Sequence, residues 1–183
     1  VSIGSHSLEN SIDINNLVAI GDSALFNNGM GATEFFHGRA NTAIGKSALK
    51  NNSIGNANTA VGLRTLQDNT DGRANSAFGS GALTRNISGD NNVAIGVSAM
   101  FFNEQGSSNV AIGNLALAMN IDGDHQVAIG DSSLFYNTAG TENTALGSKS
   151  MTHNQNGIGN TAVGRESLMH NESGSLNVAL GTH

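Results

Sequence analysis

The sequence predicts an all-β solenoid of short parallel strands, and three observations indicate this fold. Eleven glycines divide the chain at a constant interval of 17 residues, except for one interval of 24 between Gly21 and Gly45. From Gly21 onward, the second residue before each of these repeat glycines is alanine. Every interval also contains further Asn, and every interval after Gly21 contains further Gly; these residues disfavour helices but suit turns. A period this constant is typical of a repeat architecture in which each interval forms one coil.

Each element of a coil follows from its position after the repeat glycine, which we number 0. Positions 14–16 hold triplets such as TAI at 42–44 and VAI at 93–95, which predict a short strand. Ala-Leu at positions 3 and 4 predicts a second short strand, and N-x-x-G-x-x-N at positions 7–13 predicts turns. We therefore expect about ten coils that stack to roughly 50 Å, at ~4.8 Å per coil.

Strand alternation predicts which side chains face the interior of the coil. Positions 14 and 16, such as Val93 and Ile95, share one face, and we expect them to form a thin core with the Leu at position 4. Ala94 would then face outward, against a second subunit that leaves room only for a methyl group. This interpretation assigns a subunit contact to Ala43, Ala60, Ala77, Ala94, Ala111, Ala128, Ala145 and Ala162.

Asparagine recurs at positions 7 and 13, where stacking would bring the amides of successive coils together. Each Asn could cap its own turn, or the amides could form a continuous hydrogen-bonded ladder along the solenoid. The sequence leaves both arrangements open.

Apolar and aromatic residues collect at position 6 of the later coils. Phe102, Met119 and Tyr136 are expected to seal a contact between adjacent subunits, with a ligand-binding strip as the alternative. His153 and His170 follow in the same column, but two histidines without carboxylate neighbours do not predict a metal site.

The interval of 24 residues contains a seven-residue insertion within residues 29–37. Because the repeat resumes in phase, the added residues should loop out at a turn, where binding residues often collect. Met30, Phe35, Phe36 and His37 are the candidate ligand-binding residues. The alternative is that the two phenylalanines pack against their own roll or against a neighbouring subunit.

Composition excludes several function classes. A net charge of −6, with eight scattered Lys and Arg, disfavours nucleic-acid binding. No run approaches the ~18 apolar residues of a membrane span, so we expect no direct membrane insertion by this segment. No nucleophile, zinc or phosphate-binding motif is present, and the DGD at 122–124 lacks the other ligands of a calcium loop. The sequence therefore predicts a non-enzymatic protein without a cofactor.

The repeats NNVAIG at 91–96 and SNVAIG at 108–113 resemble the head repeats of trimeric autotransporter adhesins, the YadA-like heads. The stretch NTAIGKSALKNNSIGNANTAVG at 41–62 is similar to repeats of phage tail fibres and of the mosaic adhesive trimer fibres of predatory bacteria. Coils in the heads are commonly shorter than 17 residues.

The resemblance implies a left-handed parallel β-roll, with three chains packed side by side as a homotrimer. It implies that residues 1–183 are one repeat domain of a longer extracellular fibre on a cell or virion surface. Such a fibre would present or space a binding element for a glycan or protein ligand. The alternative is a receptor-binding segment of a phage tail fibre or tail spike, directed at carbohydrate.

Overall fold

The computed structural model describes residues 1–11 and 14–183, and they form a β-solenoid of about ten turns with about 17 residues per turn. Eleven short parallel strands stack in chain order into one sheet. The strands are β1 Ser2–Ile3, β2 Val18–Ile20, β3 Thr42–Ile44, β4 Thr59–Val61, β5 Ser76–Phe78, β6 Val93–Ile95, β7 Val110–Ile112, β8 Val127–Ile129, β9 Thr144–Leu146, β10 Thr161–Val163 and β11 Val178–Leu180.

Each strand ends at a repeat glycine because no other residue fits there. Gly45 has a φ of +132°, which side chains rarely adopt, and a Cβ on it would lie 2.3 Å from the carbonyl oxygen of Gly62. The coils approach so closely that only a hydrogen atom fits between these backbones. This steric requirement explains the unbroken column of glycines.

The alanine column faces the interior of the roll, so the prediction of which strand face is buried is wrong. Ala94 is fully buried, whereas Ile95 is 40% exposed on the outer face. The core consists of the strand alanines, the small residues at position 3, and the Leu or Met at position 4. Because a 17-residue coil encloses so narrow a space, Leu from one side leaves room only for a methyl group from the other.

The predicted role of the alanines at a subunit contact is therefore also wrong. All eight of them are fully buried within their own chain, where no second subunit can touch them: Ala43, Ala60, Ala77, Ala94, Ala111, Ala128, Ala145 and Ala162. Any contact between subunits must use other residues.

The second strand predicted at positions 3 and 4 does not form. Ser47 and Leu49 have φ values of 58° and 49°, and this left-handed backbone turns the Leu side chain into the core. A left-handed residue costs about 1–2 kcal/mol, and burying a Leu side chain gains about 1.5–3 kcal/mol. Burial of Leu49 thus offsets the strain at Leu49 itself, and its N–H still donates to the carbonyl of Thr65 in the next coil at 3.0 Å.

Buried asparagines hold the coils together through both arrangements that the sequence left open. At position 7, the amide nitrogen of Asn69 donates to Oδ1 of Asn52 at 2.7 Å and to the carbonyl of Gly72 at 3.0 Å. One amide therefore closes its own turn and bonds to the previous coil. The amide-to-amide ladder runs without interruption from Asn28 to Asn171.

The asparagines at position 13 bond chiefly to the backbone. Oδ1 of Asn58 accepts the backbone N–H of Asn75 at 3.0 Å, and its amide nitrogen donates to the carbonyl of Gly72 at 2.8 Å. Among the described residues, Ser11 Oγ is the one buried side-chain polar atom without a hydrogen-bond partner. The narrow roll thus satisfies an unusually polar interior.

The insertion leaves the stack intact. Strands β2 and β3 on either side of it pair in the same phase as all later strands. Asn28 before the loop bonds directly to Asn52 at 2.7 Å, and Gly38 takes the place of the usual glycine at position 10. The added residues leave the roll at the turn between Gly29 and Gly38.

Candidate functional site

The inserted loop is anchored by glycines at its base and by a histidine inside it. A Cβ on Gly38 would lie 3.1 Å from Cα of Gly29, so the two ends of the loop nearly touch. Nδ1 of His37 accepts the backbone N–H groups of Thr33 and Glu34, each at 3.2 Å. These two bonds give the loop an internal turn that does not depend on the roll.

Three of the four predicted ligand residues lie on the loop surface, and the fourth lies beneath them. Phe35 is 79% exposed, Phe36 is 46% exposed, and Met30 in the same loop is 53% exposed. His37 is only 9% exposed, and its ring meets the Phe36 ring edge to face at 4.9 Å. His37 therefore supports Phe36 from within, and Phe35 is not covered by its own roll.

Two arginines that the sequence analysis missed complete this surface. Cζ of Arg39 lies 3.7 Å from the centre of the Phe35 ring, and Cζ of Arg73 lies 5.6 Å from the centre of the Phe36 ring. We call Met30, Phe35, Phe36, Arg39 and Arg73 the Phe–Arg surface. Arg39 could have been suspected from its place four residues after Phe35, but only the stacking of coils brings Arg73 to the loop.

The aromatic column at position 6 forms as its spacing indicates. The rings of Tyr136 and His153 stack at 5.4 Å with planes inclined by 22°, and those of His153 and His170 stack at 5.4 Å and 15°. Nδ1 of His153 donates to the carbonyl of Met169 at 3.1 Å, which leaves Nε2 for other partners. Three rings on consecutive coils therefore form one continuous stack.

Phe102 and Met119 lie earlier in the same column. The Phe102 ring contacts that of Phe101 at 4.7 Å, and Cζ of Arg85 lies 5.3 Å above it. Both Phe102 and Met119 are half-buried, and Tyr136 is exposed. The column thus brings together the three residues predicted at a subunit contact, and it offers the same surface to a ligand.

Before Arg85 the same column is polar. The side-chain amide of Asn10 donates a hydrogen bond to Oδ1 of Asn27 at 2.9 Å, and that of Asn27 donates to Oδ1 of Asn51 at 3.2 Å. The amide of Asn51 in turn donates to Oδ1 of Asp68 at 3.0 Å. The column therefore changes from an amide ladder to stacked rings along the roll.

A second apolar surface covers the outer side of the sheet, at strand positions 14 and 16. We call it the outer sheet face. Its position-16 side chains are Ile20, Ile44, Val61, Phe78, Ile95, Ile112, Ile129, Leu146, Val163 and Leu180. None of the ten is buried by the chain itself. The position-16 column is therefore apolar over the length of the solenoid, whereas position 14 alternates between Val and Ser or Thr. The outward placement of these aliphatic side chains is the opposite of the predicted one.

Several acidic side chains of the described residues make local contacts within the roll. Oδ1 of Asp90 accepts the N–H of Arg73 at 2.7 Å, and Oδ1 of Asp124 accepts the N–H of Ser107 at 2.6 Å. A hydrogen bond from Arg165 to Glu166 at 2.7 Å lowers the pKa of that carboxyl group. In residues 1–11 and 14–183, no three His, Asp or Glu side chains are grouped to hold a metal ion.

Within the described part of the chain, no helix has the length and apolar character of a membrane span. Comparison of the chain with protein-family models, with curated protein sequences and with solved structures found no match.

Proposed function

We propose that this chain is a non-enzymatic, adhesive segment of a trimeric surface fibre. Three rolls would pack side by side through their outer sheet faces, and each would present its inserted loop to an external ligand. The observation that carries the proposal is the outer sheet face, whose position-16 side chains are apolar in all ten strands and are exposed or half-buried in the single chain.

The energetics of this face favour assembly. Monomeric soluble proteins rarely expose long contiguous apolar surfaces, and such surfaces usually mark interaction sites. A roll with alanines in its core buries little apolar area per residue, so association would add much of the missing hydrophobic stabilisation. The number three, the left-handed coil and the extracellular location come from the resemblance to trimeric adhesin heads.

The ladders support a role as a rigid spacer. Each coil is bonded to the next through backbone groups, and the buried amides of Asn28 to Asn171 add a second set of bonds along the axis. Because neighbouring coils are held in this way at every step, a ligand-binding loop on the roll keeps a fixed position. Rigid presentation on three chains would multiply a modest affinity for each site.

A second candidate is a carbohydrate-directed receptor-binding segment of a phage tail fibre or tail spike. The column of Tyr136, His153 and His170 favours it, since its ring edges and polar atoms form a continuous strip along which a sugar chain could lie. In this version the fibre belongs to a virion, and the trimeric assembly is the same. A tail spike that cleaves its glycan would release shortened products in a turnover assay, whereas an adhesive segment would bind without cleavage.

Matched substitutions test the proposed interface. Ile95 on the outer sheet face is 40% exposed and Ile87 in a turn is 41% exposed, so Ile95→Asp and Ile87→Asp change equally exposed side chains. We expect Ile95→Asp to dissociate the trimer in sedimentation equilibrium and Ile87→Asp to leave it intact. Equal effects of the two substitutions would contradict the assignment of the interface to this face.

A further inference from the structure

The Phe–Arg surface contains two arginines in an acidic chain. The chain has a net charge of −6 and eight Lys and Arg, and two of the eight lie on this one surface. Arg85 and Arg165 lie within 4 Å of Glu104 and Glu166. Among the described residues, no carboxylate lies at ion-pair distance from the guanidinium of Arg39 or Arg73. The nearby carboxylate of Asp90 bonds instead to the backbone N–H of Arg73 at 2.7 Å.

The position of each guanidinium on a ring face leaves its donors available. A guanidinium that lies on a phenyl ring uses its flat face for the cation–π contact. Its N–H groups point outward in its own plane, in a fork that matches a carboxylate. Arg39 at 3.7 Å from the Phe35 ring centre is therefore oriented by the ring and still able to bind an anion.

The solenoid sets the separation of the two arginines. The N–H of Ala57 donates to the carbonyl of Arg39 at 2.9 Å, and the N–H of Ala74 donates to the carbonyl of Asn56 at 3.0 Å. Arg39, Asn56 and Arg73 are thus equivalent residues on three consecutive coils. Two coil steps separate the backbones of Arg39 and Arg73 by roughly 10 Å.

We propose that the Phe–Arg surface binds an acidic polysaccharide that carries one carboxylate on every second sugar. Such a chain spaces its charges by one disaccharide, which is comparable to two coil steps, so successive carboxylates reach Arg39 and Arg73. The exposed parts of the Phe35 and Phe36 rings and the side chain of Met30 contact the apolar faces of the sugar rings between the charges. This inference rests on the adhesive role proposed above and names the ligand class of the loop.

The probe is a hyaluronan octasaccharide, which has this spacing of carboxylates, and its carboxyl-reduced form is the neutral comparison. Isothermal titration calorimetry is run on the 183-residue chain and on Arg39→Gln, Arg73→Gln and Phe35→Ala. Arg64→Gln is the matched control, because Arg64 is exposed and lies on neither phenylalanine ring. We expect each of the three variants to weaken binding at least tenfold, Arg64→Gln to change it less than twofold, and the carboxyl-reduced form not to bind.

Three results would overturn the inference: no binding of the octasaccharide, equal binding of its carboxyl-reduced form, or equal losses in Arg64→Gln and Arg39→Gln. Binding of phosphatidylserine vesicles but not of the octasaccharide would also overturn it, in favour of a membrane. The mass of the particle in each sample is measured in parallel, so that its oligomeric state is known. A trimer that does not bind contradicts the ligand site alone, whereas a monomer that binds contradicts the proposed assembly and keeps the site.

Discussion

The side-chain amide of Asn103 donates to Oδ1 of Asn86 in the preceding coil at 2.8 Å, and to the carbonyl of Gly106 in its own turn at 2.8 Å. Its own Oδ1 accepts the amide of Asn120 from the following coil at 2.7 Å. One fully buried side chain therefore joins three consecutive coils.

Asn103→Ala should lower the free energy of unfolding by roughly 3 kcal/mol, because several buried polar groups lose their partners at once. Chemical denaturation followed by circular dichroism measures the change. Asn156→Ala is the control, since Asn156 is exposed, and it should cost less than about 0.5 kcal/mol. Similar losses in both variants would show that the ladder does not stabilise the roll.

Ala94→Val tests which face of the strands lies in the core. Ala94 is fully buried in the narrow core, so two added methyl groups should destabilise the fold by about 1–3 kcal/mol or more. Thr59→Val adds no larger side chain and changes a residue on the outer sheet face, so its unfolding midpoint should stay within a few degrees of the parent. If Ala94→Val were tolerated as well as Thr59→Val, the alanine column would not be the core.

Gln126 is the one residue other than Asn at position 13 from Asn41 onward. It fills the same buried place with an extra methylene and bonds to Asn143 and Gly140. Gln126→Asn should therefore stabilise the chain by up to about 1 kcal/mol, and Asn109→Gln should destabilise it by about 1–3 kcal/mol. Thermal unfolding of both variants measures the difference, and a destabilised Gln126→Asn would indicate that the coil has adapted to the longer side chain.

Deletion of residues 30–36 should leave a folded roll. The deletion joins Gly29 to His37 and restores a 17-residue interval, and the ends of the loop are already adjacent. We expect an unchanged circular dichroism spectrum and an unchanged number of chains per particle, together with the loss of octasaccharide binding. Unfolding of the deletion variant would show that the loop is part of the stack and does not merely extend from it.

His37→Ala separates loop order from ligand contact. His37 is nearly buried, and its Nδ1 accepts two N–H groups of the loop, so its loss should increase hydrogen exchange at Thr33 and Glu34. Binding at the Phe–Arg surface should weaken less than in Arg39→Gln, because the arginines remain. Unchanged exchange in His37→Ala would contradict the supporting role of this histidine.

The solenoid could be predicted from the sequence because its period is fixed by steric demands that repeat in every coil. The positions of Gly45 and its equivalents leave no room for a Cβ, so the same residue type must recur once in every coil. The number of coils, the parallel strand at positions 14–16 and the stacking of Tyr136 on His153 all follow from that period.

The faces of the strand could not be predicted in the same way. Alternation shows that Ala94 and Ile95 point to opposite sides, but it does not show which side is the interior. The usual preference for large apolar residues in a core favoured Ile95 as the buried residue. The interior of the coil is too narrow for it, so Ala94 is buried instead, and the sequence pattern does not reveal this width. The left-handed backbone of Leu49 was missed for a related reason, since β-propensity does not anticipate strain that core packing offsets.

The loop surface was predicted in part. Two adjacent phenylalanines in an insertion indicated Phe35 and Phe36, and both lie at the surface. Arg73 is separated from them along the chain by more than two intervals, and only the three-dimensional stack places it on the Phe36 ring.

Sedimentation equilibrium of the unmodified 183-residue chain at micromolar and lower concentrations tests the central claim, assembly through the outer sheet face. The account predicts a particle of three times the 18.7 kDa chain mass that persists on dilution, with the circular dichroism of a β-solenoid. A folded particle of 18.7 kDa at every concentration would contradict it, because the apolar face would then be stable in water without a partner.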